Sequence, residues 1–110
     1  MKIKTPQEFF ETILPARFKP EKAKGIEIIV QVNLTGNTSS SDWVITIKDQ
    51  KIQSIQGSTI DTTLALKMSE KDFLDLVNGE LSVEKAFFSG KINFKGDLAT
   101  ALKLKDTGFL

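Results

Sequence analysis

The sequence predicts an α+β fold, a five-stranded and mainly antiparallel sheet with helices over one face. Residues 26–34 alternate apolar and polar side chains with a period of two, and three more segments before residue 69 repeat that pattern. Capping residues and helically spaced apolar residues occupy both ends of the chain. Strands that are segregated from helices in this way are typical of an antiparallel sheet covered on one side.

The N-terminal segment has the features of a helix start. Thr5 can cap the helix, Pro6 suits the first helical position, and Glu8 can complete a capping box. The apolar side chains that then share one helical face are Phe9, Phe10, Ile13 and Leu14. Pro15 is expected to end this helix or begin a turn, and residues 19–21 to open one more short helical turn.

Four strands are predicted in the middle of the chain, over residues 26–34, 43–48, 51–56 and 60–68. Asp49-Gln50 has the form of a tight turn between the second and third strands. The connections are too short for crossover helices. We therefore expect these strands to pair as an antiparallel meander.

The last third of the chain predicts two helices, a strand and a final helix. Ser69 and Ser82 are expected to cap the two helices, and Gly79 and Gly90 to end them. Residues 91–95 alternate apolar and polar side chains and predict the fifth strand, after which an aspartate can cap the last helix.

The composition excludes several classes of function. The chain has 110 residues, enough for one domain, and we take residues 1–110 as that domain. It contains no cysteine, histidine or tyrosine, so the commonest metal ligand and general base are absent. We expect no catalytic residues, no metal and no cofactor.

The charges do not predict a nucleic-acid partner, because 15 basic and 14 acidic residues leave a net charge of only +1. We interpret the short lysine groups as solvated surfaces, with a weak attraction to anionic headgroups as the alternative. These groups are Lys19, Lys22 and Lys24; Lys91 and Lys95; and Lys103 and Lys105. No targeting sequence or bilayer-length apolar stretch is visible, so the expected location is cytoplasmic.

The motifs that could suggest an enzyme have simpler explanations. Ser82 and Lys85 match an S-x-x-K pattern, but its companion motifs are missing, so a capping serine is favoured. The nearby carboxylate pairs belong to polar helix starts, where they complement the helix dipole. The apolar residues late in the chain are interpreted either as ordinary core or as the lining of a cavity, since both are apolar.

One long stretch resembles the sterol carrier protein 2 (SCP-2) sterol-transfer domain family. Residues 86–98 read AFFSGKINFKGDL and are followed by Ala101-Leu102-Lys103-Leu104, which is similar to that family's AF-x-x-G-[KR]-x-x-x-x-G-[ND] pattern and its following helix. Residues 66–73, Asn78-Gly79 and Trp43-Val44-Ile45 match other segments of the same domain. The resemblance covers essentially the whole chain.

The resemblance implies a hydrophobic tunnel between the sheet and the helices, with non-enzymatic binding and transfer of an apolar lipid. The ligand classes that it implies are fatty acids, fatty acyl-CoA, phospholipids and sterols. By position, the residues expected to line the tunnel are Trp43, Ile45, Phe73, Leu76, Val77, Phe87, Phe88, Phe94, Leu98, Ala101 and Leu102. Phe109 and Leu110 are expected to close one end.

Three other functions stay open at this point. The same fold with a filled core could serve as a protein-interaction module, or as an accessory factor that presents a lipid or quinone substrate to a partner enzyme. An enzyme without histidine is the least favoured reading. A transient contact with a membrane surface also stays open, and the oligomeric state is not predicted.

Overall fold

The computed structural model describes residues 2–36 and 41–107, apart from the side chains at positions 41, 98, 102, 105 and 106. Helices and strands follow one another in the predicted order. They are α1 (Pro6–Glu8), a π-helical turn (Phe9–Ile13), α2 (Leu14–Arg17), a 3-10 turn (Pro20–Lys22), β1 (Ile28–Thr35), β2 (Ser41–Lys48), β3 (Lys51–Gln56), β4 (Leu64–Ser69), α3 (Glu70–Val77), α4 (Val83–Phe88), β5 (Asn93–Gly96) and α5 (Leu98–Asp106).

The five strands form a sheet in the order β3-β2-β1-β4-β5. The fold class is therefore as predicted, with mostly antiparallel pairs. The simple meander is wrong, because β4 pairs with β1 in parallel, with Val30 opposite Leu64. The chain passes from β3 to the far side of β1 through residues 57–63, without a crossover helix.

Residues 57–63, which we call the strap, lie across the outer face of the sheet, opposite the helices. Gln31 points to that face and holds the strap: its side-chain amide donates to the Gly57 carbonyl at 3.2 Å and accepts from the Thr59 backbone N–H at 2.8 Å. Gln31 is only 4% exposed. The predicted fourth strand consequently begins too early, since Ile60 lies in the strap and is 97% exposed.

The N-terminal helix also departs from expectation, because Pro15 does not end it. The chain continues helically to Arg17 after the π-helical turn at Phe9–Ile13. Here the Leu14 N–H donates to the Phe9 carbonyl, five residues back. A locally widened helix can accept a proline, which has no N–H and crowds the preceding turn.

The two predicted serine caps and the predicted tight turn are confirmed. Ser69 and Ser82 each accept a hydrogen bond from the N–H three residues later, at 3.1 Å. Asp49 and Gln50 both have positive φ angles, 53° and 60°, as a two-residue hairpin turn of the primed type requires. The β2–β3 register is fixed at this point, with Lys48 opposite Lys51.

An aromatic cluster fills the space between the N-terminal helix and the sheet. Phe10 stacks on Trp43 and on Phe73 at centroid separations of 4.9 and 5.3 Å, and Phe9 meets Phe73 edge to face at 5.4 Å. All four rings are buried. The alternation of β1 turns Val30 and every second residue on either side of it into the same core, which places the helices on one face of the sheet as predicted.

Candidate functional site

Three phenylalanines form an incompletely buried group beside the β5 edge, which we call the late aromatic cluster: Phe87, Phe88 and Phe94. Phe87 meets Phe88 and Phe94 at centroid separations of 5.8 and 6.5 Å, edge to face in both cases. Phe87 is 42% exposed and Phe88 is 84% exposed, whereas Phe94 is partly buried against the core. Exposed aromatic side chains that touch one another leave apolar area available to a ligand.

Local structure positions these rings. Ala86 is fully buried and seats α4 on the core, so the next two residues project away from that contact. Gly90 adopts φ 78°, a conformation that favours glycine, and the Lys91 N–H donates to the Ala86 carbonyl at 2.9 Å. The chain therefore turns from α4 directly into β5.

Strand pairing sets the position of Phe94. It lies opposite Leu66 in the β4–β5 ladder, and Leu66 lies opposite Val32 of β1. Because residues opposite one another share a face, Phe94 is on the helix-covered side of the sheet. Phe87 and Phe94 therefore meet where α4 overhangs the edge of the sheet.

Five of the side chains predicted to line a tunnel are in the hydrophobic core. These are Trp43, Ile45, Phe73, Leu76 and Val77. Phe73 and Trp43 both contact Phe10, so they are surrounded by the protein's own aromatic side chains on that side. The structure thus places the predicted residues in two groups, one buried and one partly open to solvent.

The structure describes only some of the lining residues that were predicted near the C-terminus. Ala101 is partly buried and packs against the core. The side chains of Leu98 and Leu102 lie outside the described part of the structure, as do Phe109 and Leu110. Leu104 of α5 is buried in the core, and the Thr107 carbonyl accepts from the Lys19 N–H at 2.8 Å. Both contacts join α5 to the rest of the domain.

A surface depression of about 590 Å³ lies beside Phe88. Its lining consists of Leu81, Glu84, Lys85, Phe88, Ser89 and Lys91. Lys91 also approaches the Asp72 carboxylate to 4.0 Å. An apolar ring next to ammonium groups suits a molecule that has both a hydrocarbon part and a polar end.

The clear pKa shifts belong to two exposed lysines outside this depression. A hydrogen bond to the Asp75 carboxylate raises the pKa of Lys71, and one to Glu80 raises the pKa of Lys2. Within residues 2–36 and 41–107, no group of three His, Cys, Asp or Glu residues could hold a metal ion. The candidate site thus combines the exposed rings of the late aromatic cluster with the charged side chains that line the depression.

Sequence reasoning missed three contributors. Phe9 and Phe10 were assigned only to a helix face, although they pack against predicted lining residues. Leu81 was not singled out, and it lines the depression beside Phe88. The pair of adjacent phenylalanines was visible in the sequence, but its partners come from β2 and α3, which are distant along the chain.

Comparison with known families decides what kind of domain this is. The profile of the SCP-2 sterol transfer family matches residues 10–107. The chain belongs to the SCP-2 sterol transfer family. The resemblance carried by residues 86–104 is thereby confirmed, and the family match extends from the π-helical turn through the sheet and the late aromatic cluster to α5.

A similar SCP-2 segment is found in longer proteins. The chain is 33% identical over 101 residues to hydroxysteroid dehydrogenase-like protein 2 of Xenopus tropicalis, covering 90% of this chain and 24% of that protein. The chain therefore spans about a quarter of that relative's length. The match concerns that quarter of the relative and not the rest of that protein.

Solved structures support the fold. SCP-2-like 2 from Aedes aegypti has a TM-score of 0.72 at 24% identity, covering 90% of this chain and 93% of that one. A sec-alkylsulfatase from Pseudomonas sp. has a TM-score of 0.80 at 18% identity, covering 94% of this chain and 16% of that one. The ubiquinone synthesis protein UbiJ-SCP2 has a TM-score of 0.69 at 10% identity, covering 89% and 88%. At these identities the likeness establishes the SCP-2 fold alone.

The described helices are all short. In residues 2–36 and 41–107, none has the length and hydrophobicity that crossing a membrane requires.

Proposed function

We propose that residues 1–110 form one lipid-binding domain, which holds a long apolar ligand beside the late aromatic cluster and transfers it without chemical change. The observation that carries the proposal is the incomplete burial of Phe87 and of the two phenylalanines that contact it, in a member of the SCP-2 sterol transfer family. A hydrocarbon chain laid against them would remove apolar area from water, which stabilises the complex by about 25 cal/mol per Å².

The proposed binding surface has two layers. The outer layer is the late aromatic cluster with Ala101, and the part of the lining carried by Leu98 and Leu102 is assigned from the sequence. The inner layer consists of the buried residues Trp43, Ile45, Phe73, Leu76 and Val77. An inserted ligand would have to displace contacts in this layer, since protein interiors are packed without large voids. We therefore place the first contact at Phe87 and Phe94.

The absence of histidine and cysteine in the sequence supports binding without catalysis. The polar groups near Phe88, contributed by Lys85, Lys91 and Glu84, suit a ligand with one polar end. A fatty acid, a fatty acyl ester or a phospholipid has that form. We also propose a cytoplasmic site of action for this domain.

A chain-length series tests this proposal. Binding of saturated fatty acids should strengthen as methylenes are added, by about 0.8 kcal/mol, or fourfold, for each one that is buried. The ligand should raise the melting temperature, because a ligand at 100 times its Kd adds about 2.7 kcal/mol to the free energy of unfolding. The fluorescence of Trp43 provides a second measurement, with butyric acid as the short-chain control.

The proposal is contradicted if hexadecanoic acid leaves both the melting temperature and the Trp43 fluorescence unchanged. It is also contradicted if affinity does not depend on chain length. Native mass spectrometry of protein purified from cells gives an independent check, since a carrier retains endogenous lipid through gentle purification.

A second function is favoured by the comparisons. SCP-2 regions occur as part of longer proteins, among them a hydroxysteroid dehydrogenase-like protein and a sec-alkylsulfatase, and the fold also occurs in a ubiquinone synthesis protein. The domain could therefore present its ligand to a partner enzyme of lipid or quinone metabolism. Recovery of such an enzyme with the wild-type protein, and its loss when Phe88 is replaced by Ser, would support this function.

A further inference from the structure

A buried serine on the helix-covered face of the sheet has an unused hydroxyl group. The hydroxyl oxygen of Ser54, in β3, is buried, and none of residues 2–36 and 41–107 forms a hydrogen bond with it. Ser54 lies opposite Ile45 of β2, which is fully buried in the core, so both side chains are on the core side of the sheet. Because water and the protein normally satisfy buried hydroxyl groups, this one requires an explanation.

The helical segment next to β3 also has a gap in its hydrogen bonding. β3 contacts the π-helical turn Phe9–Ile13. The Leu14 N–H donates to the Phe9 carbonyl, and the following residue, Pro15, has no N–H. The Phe10 carbonyl therefore has no donor four or five residues ahead. A hydroxyl without a partner and a carbonyl without a helical donor thus lie on two elements that touch.

Ser54 and the late aromatic cluster lie at opposite edges of the same face of the sheet. The strand register places one residue of each strand in a row across the sheet: Ser54, Ile45, Val30, Leu64 and Gly96. Four strand spacings separate the ends of this row, a distance of about 19 Å. An extended chain of 16 carbons has about the same length, since each carbon–carbon bond advances it by about 1.25 Å.

We propose that Ser54 binds the inner end of the ligand, and that this ligand is a fatty acid of about 16 carbons with a hydroxyl group on its last carbon. The inference rests on the proposed lipid-binding function and names the class of ligand. The carboxylate stays at the β5 edge, where Lys85 and Lys91 line the depression. The chain displaces inner-layer side chains along the row, and its terminal hydroxyl forms a hydrogen bond with the Ser54 hydroxyl.

The surroundings of Ser54 favour a neutral group at this end of the ligand. Its neighbours in the β2–β3 ladder, Ile45, Gln53 and Ile55, are uncharged. A buried carboxylate would need an opposite charge beside it, whereas a hydroxyl needs only a hydrogen-bond partner. The terminal group is therefore a hydroxyl and not a second carboxylate.

A comparison of chain lengths tests the proposal on the wild-type protein. The Kd of 16-hydroxyhexadecanoic acid should be within about threefold of that of hexadecanoic acid, because its buried hydroxyl finds Ser54. 12-Hydroxydodecanoic acid is about 5 Å shorter and does not reach Ser54. It should bind at least about tenfold more weakly than dodecanoic acid, since its hydroxyl is buried without a partner. Titration followed by Trp43 fluorescence measures each Kd.

The variant that removes the hydroxyl is Ser54→Ala, and its matched control is Ser58→Ala at an exposed position of the strap. Ser54→Ala should weaken binding of 16-hydroxyhexadecanoic acid about tenfold and leave that of hexadecanoic acid within about twofold. It should leave or raise the melting temperature of the ligand-free protein, because a hydroxyl without a partner does not stabilise the fold. Ser58→Ala should change neither Kd, and Ser54→Thr, which keeps a hydroxyl, should retain binding of the hydroxy acid.

Equal losses of the two 16-carbon acids in Ser54→Ala would overturn the proposal. A lower melting temperature of the ligand-free Ser54→Ala protein would also overturn it, since the hydroxyl would then have a structural partner such as a bound water. The same penalty for a terminal hydroxyl at 12 and 16 carbons in the wild type would overturn it without any variant. If hexadecanoic acid itself does not bind, the proposed lipid-binding function fails, which distinguishes that failure from a failure at Ser54 alone.

Discussion

Two groups of phenylalanines in this domain have very different surroundings. Phe9, Phe10 and Phe73 lie with Trp43 in a cluster whose ring centroids are 4.9 to 5.4 Å apart, and all four are buried. In the late aromatic cluster the separations are 5.8 and 6.5 Å, and Phe87 and Phe88 are exposed. The first group is fully covered by the chain itself, whereas the second leaves part of its apolar area exposed to solvent.

We therefore assign the buried group to the stability of the fold and the exposed group to the binding of a ligand. A ring that is fully covered by the protein contributes its burial to folding, whereas an exposed ring keeps apolar area that a ligand can cover. Both groups consist of the same residue types, so composition does not distinguish them. Their roles follow from what the rest of the fold places next to each ring.

The largest expected effect comes from breaking the buried group. Phe10→Ala removes a ring that stacks on both Trp43 and Phe73, and it should lower the free energy of unfolding by about 3–5 kcal/mol. Phe88→Ala, the matched control at an 84% exposed position, should change it by less than about 0.5 kcal/mol. Urea unfolding followed by circular dichroism measures both. Similar losses in the two variants would contradict the division into groups.

An intermediate effect is expected where β5 is seated against β4. Gly96 has φ 129°, and a Cβ there would lie 2.7 Å from the Thr63 carbonyl oxygen and from Leu64. Gly96→Ala should therefore destabilise by about 2 kcal/mol or more, since both backbone strain and a close contact must be relieved.

The control for this substitution is Gly90→Ala. Gly90 also has a positive φ, but nothing lies within 4 Å of the added Cβ, so a cost of about 1 kcal/mol is expected from strain alone. Thermal unfolding of both variants gives the comparison. An equal cost would show that β5, and with it Phe94, is not held tightly against β4.

A smaller loss of stability than that of Gly96→Ala is expected at Phe87, together with a loss of ligand affinity. Phe87→Ala should cost less than about 1.5 kcal/mol of stability, because the ring is 42% exposed, while lowering the affinity for hexadecanoic acid about tenfold. Phe87→Leu keeps most of the apolar area and should retain most of the affinity. Unchanged binding in Phe87→Ala would remove this residue from the site.

Local features of this fold could be predicted from the sequence. The alternation of β1, the capping serines, the Asp49-Gln50 turn and the glycine that follows α4 each depend on neighbours within a few residues. The order of strands could not be predicted in the same way. Parallel pairing of β1 with β4 depends on the strap, and Gln31 holds the strap through hydrogen bonds to residues 26 and 28 positions away.

The same limit applies to the candidate site. The motif around residues 86–98 pointed to the family, and Trp43 and Phe73 were singled out from the sequence. Their packing against Phe10 was not foreseen, because stacking partners on three different elements meet only in the folded domain.

The central claim is that an apolar ligand first contacts the late aromatic cluster and not the buried aromatic group of the N-terminal helix. The most direct measurement is the set of intermolecular nuclear Overhauser effects between uniformly ¹³C-labelled hexadecanoic acid and the protein. We expect effects to the ring protons of Phe87 and Phe94, with the rings of Phe9 unaffected. Effects confined to Phe9 and its neighbours, or no bound fatty acid at all, would contradict the account.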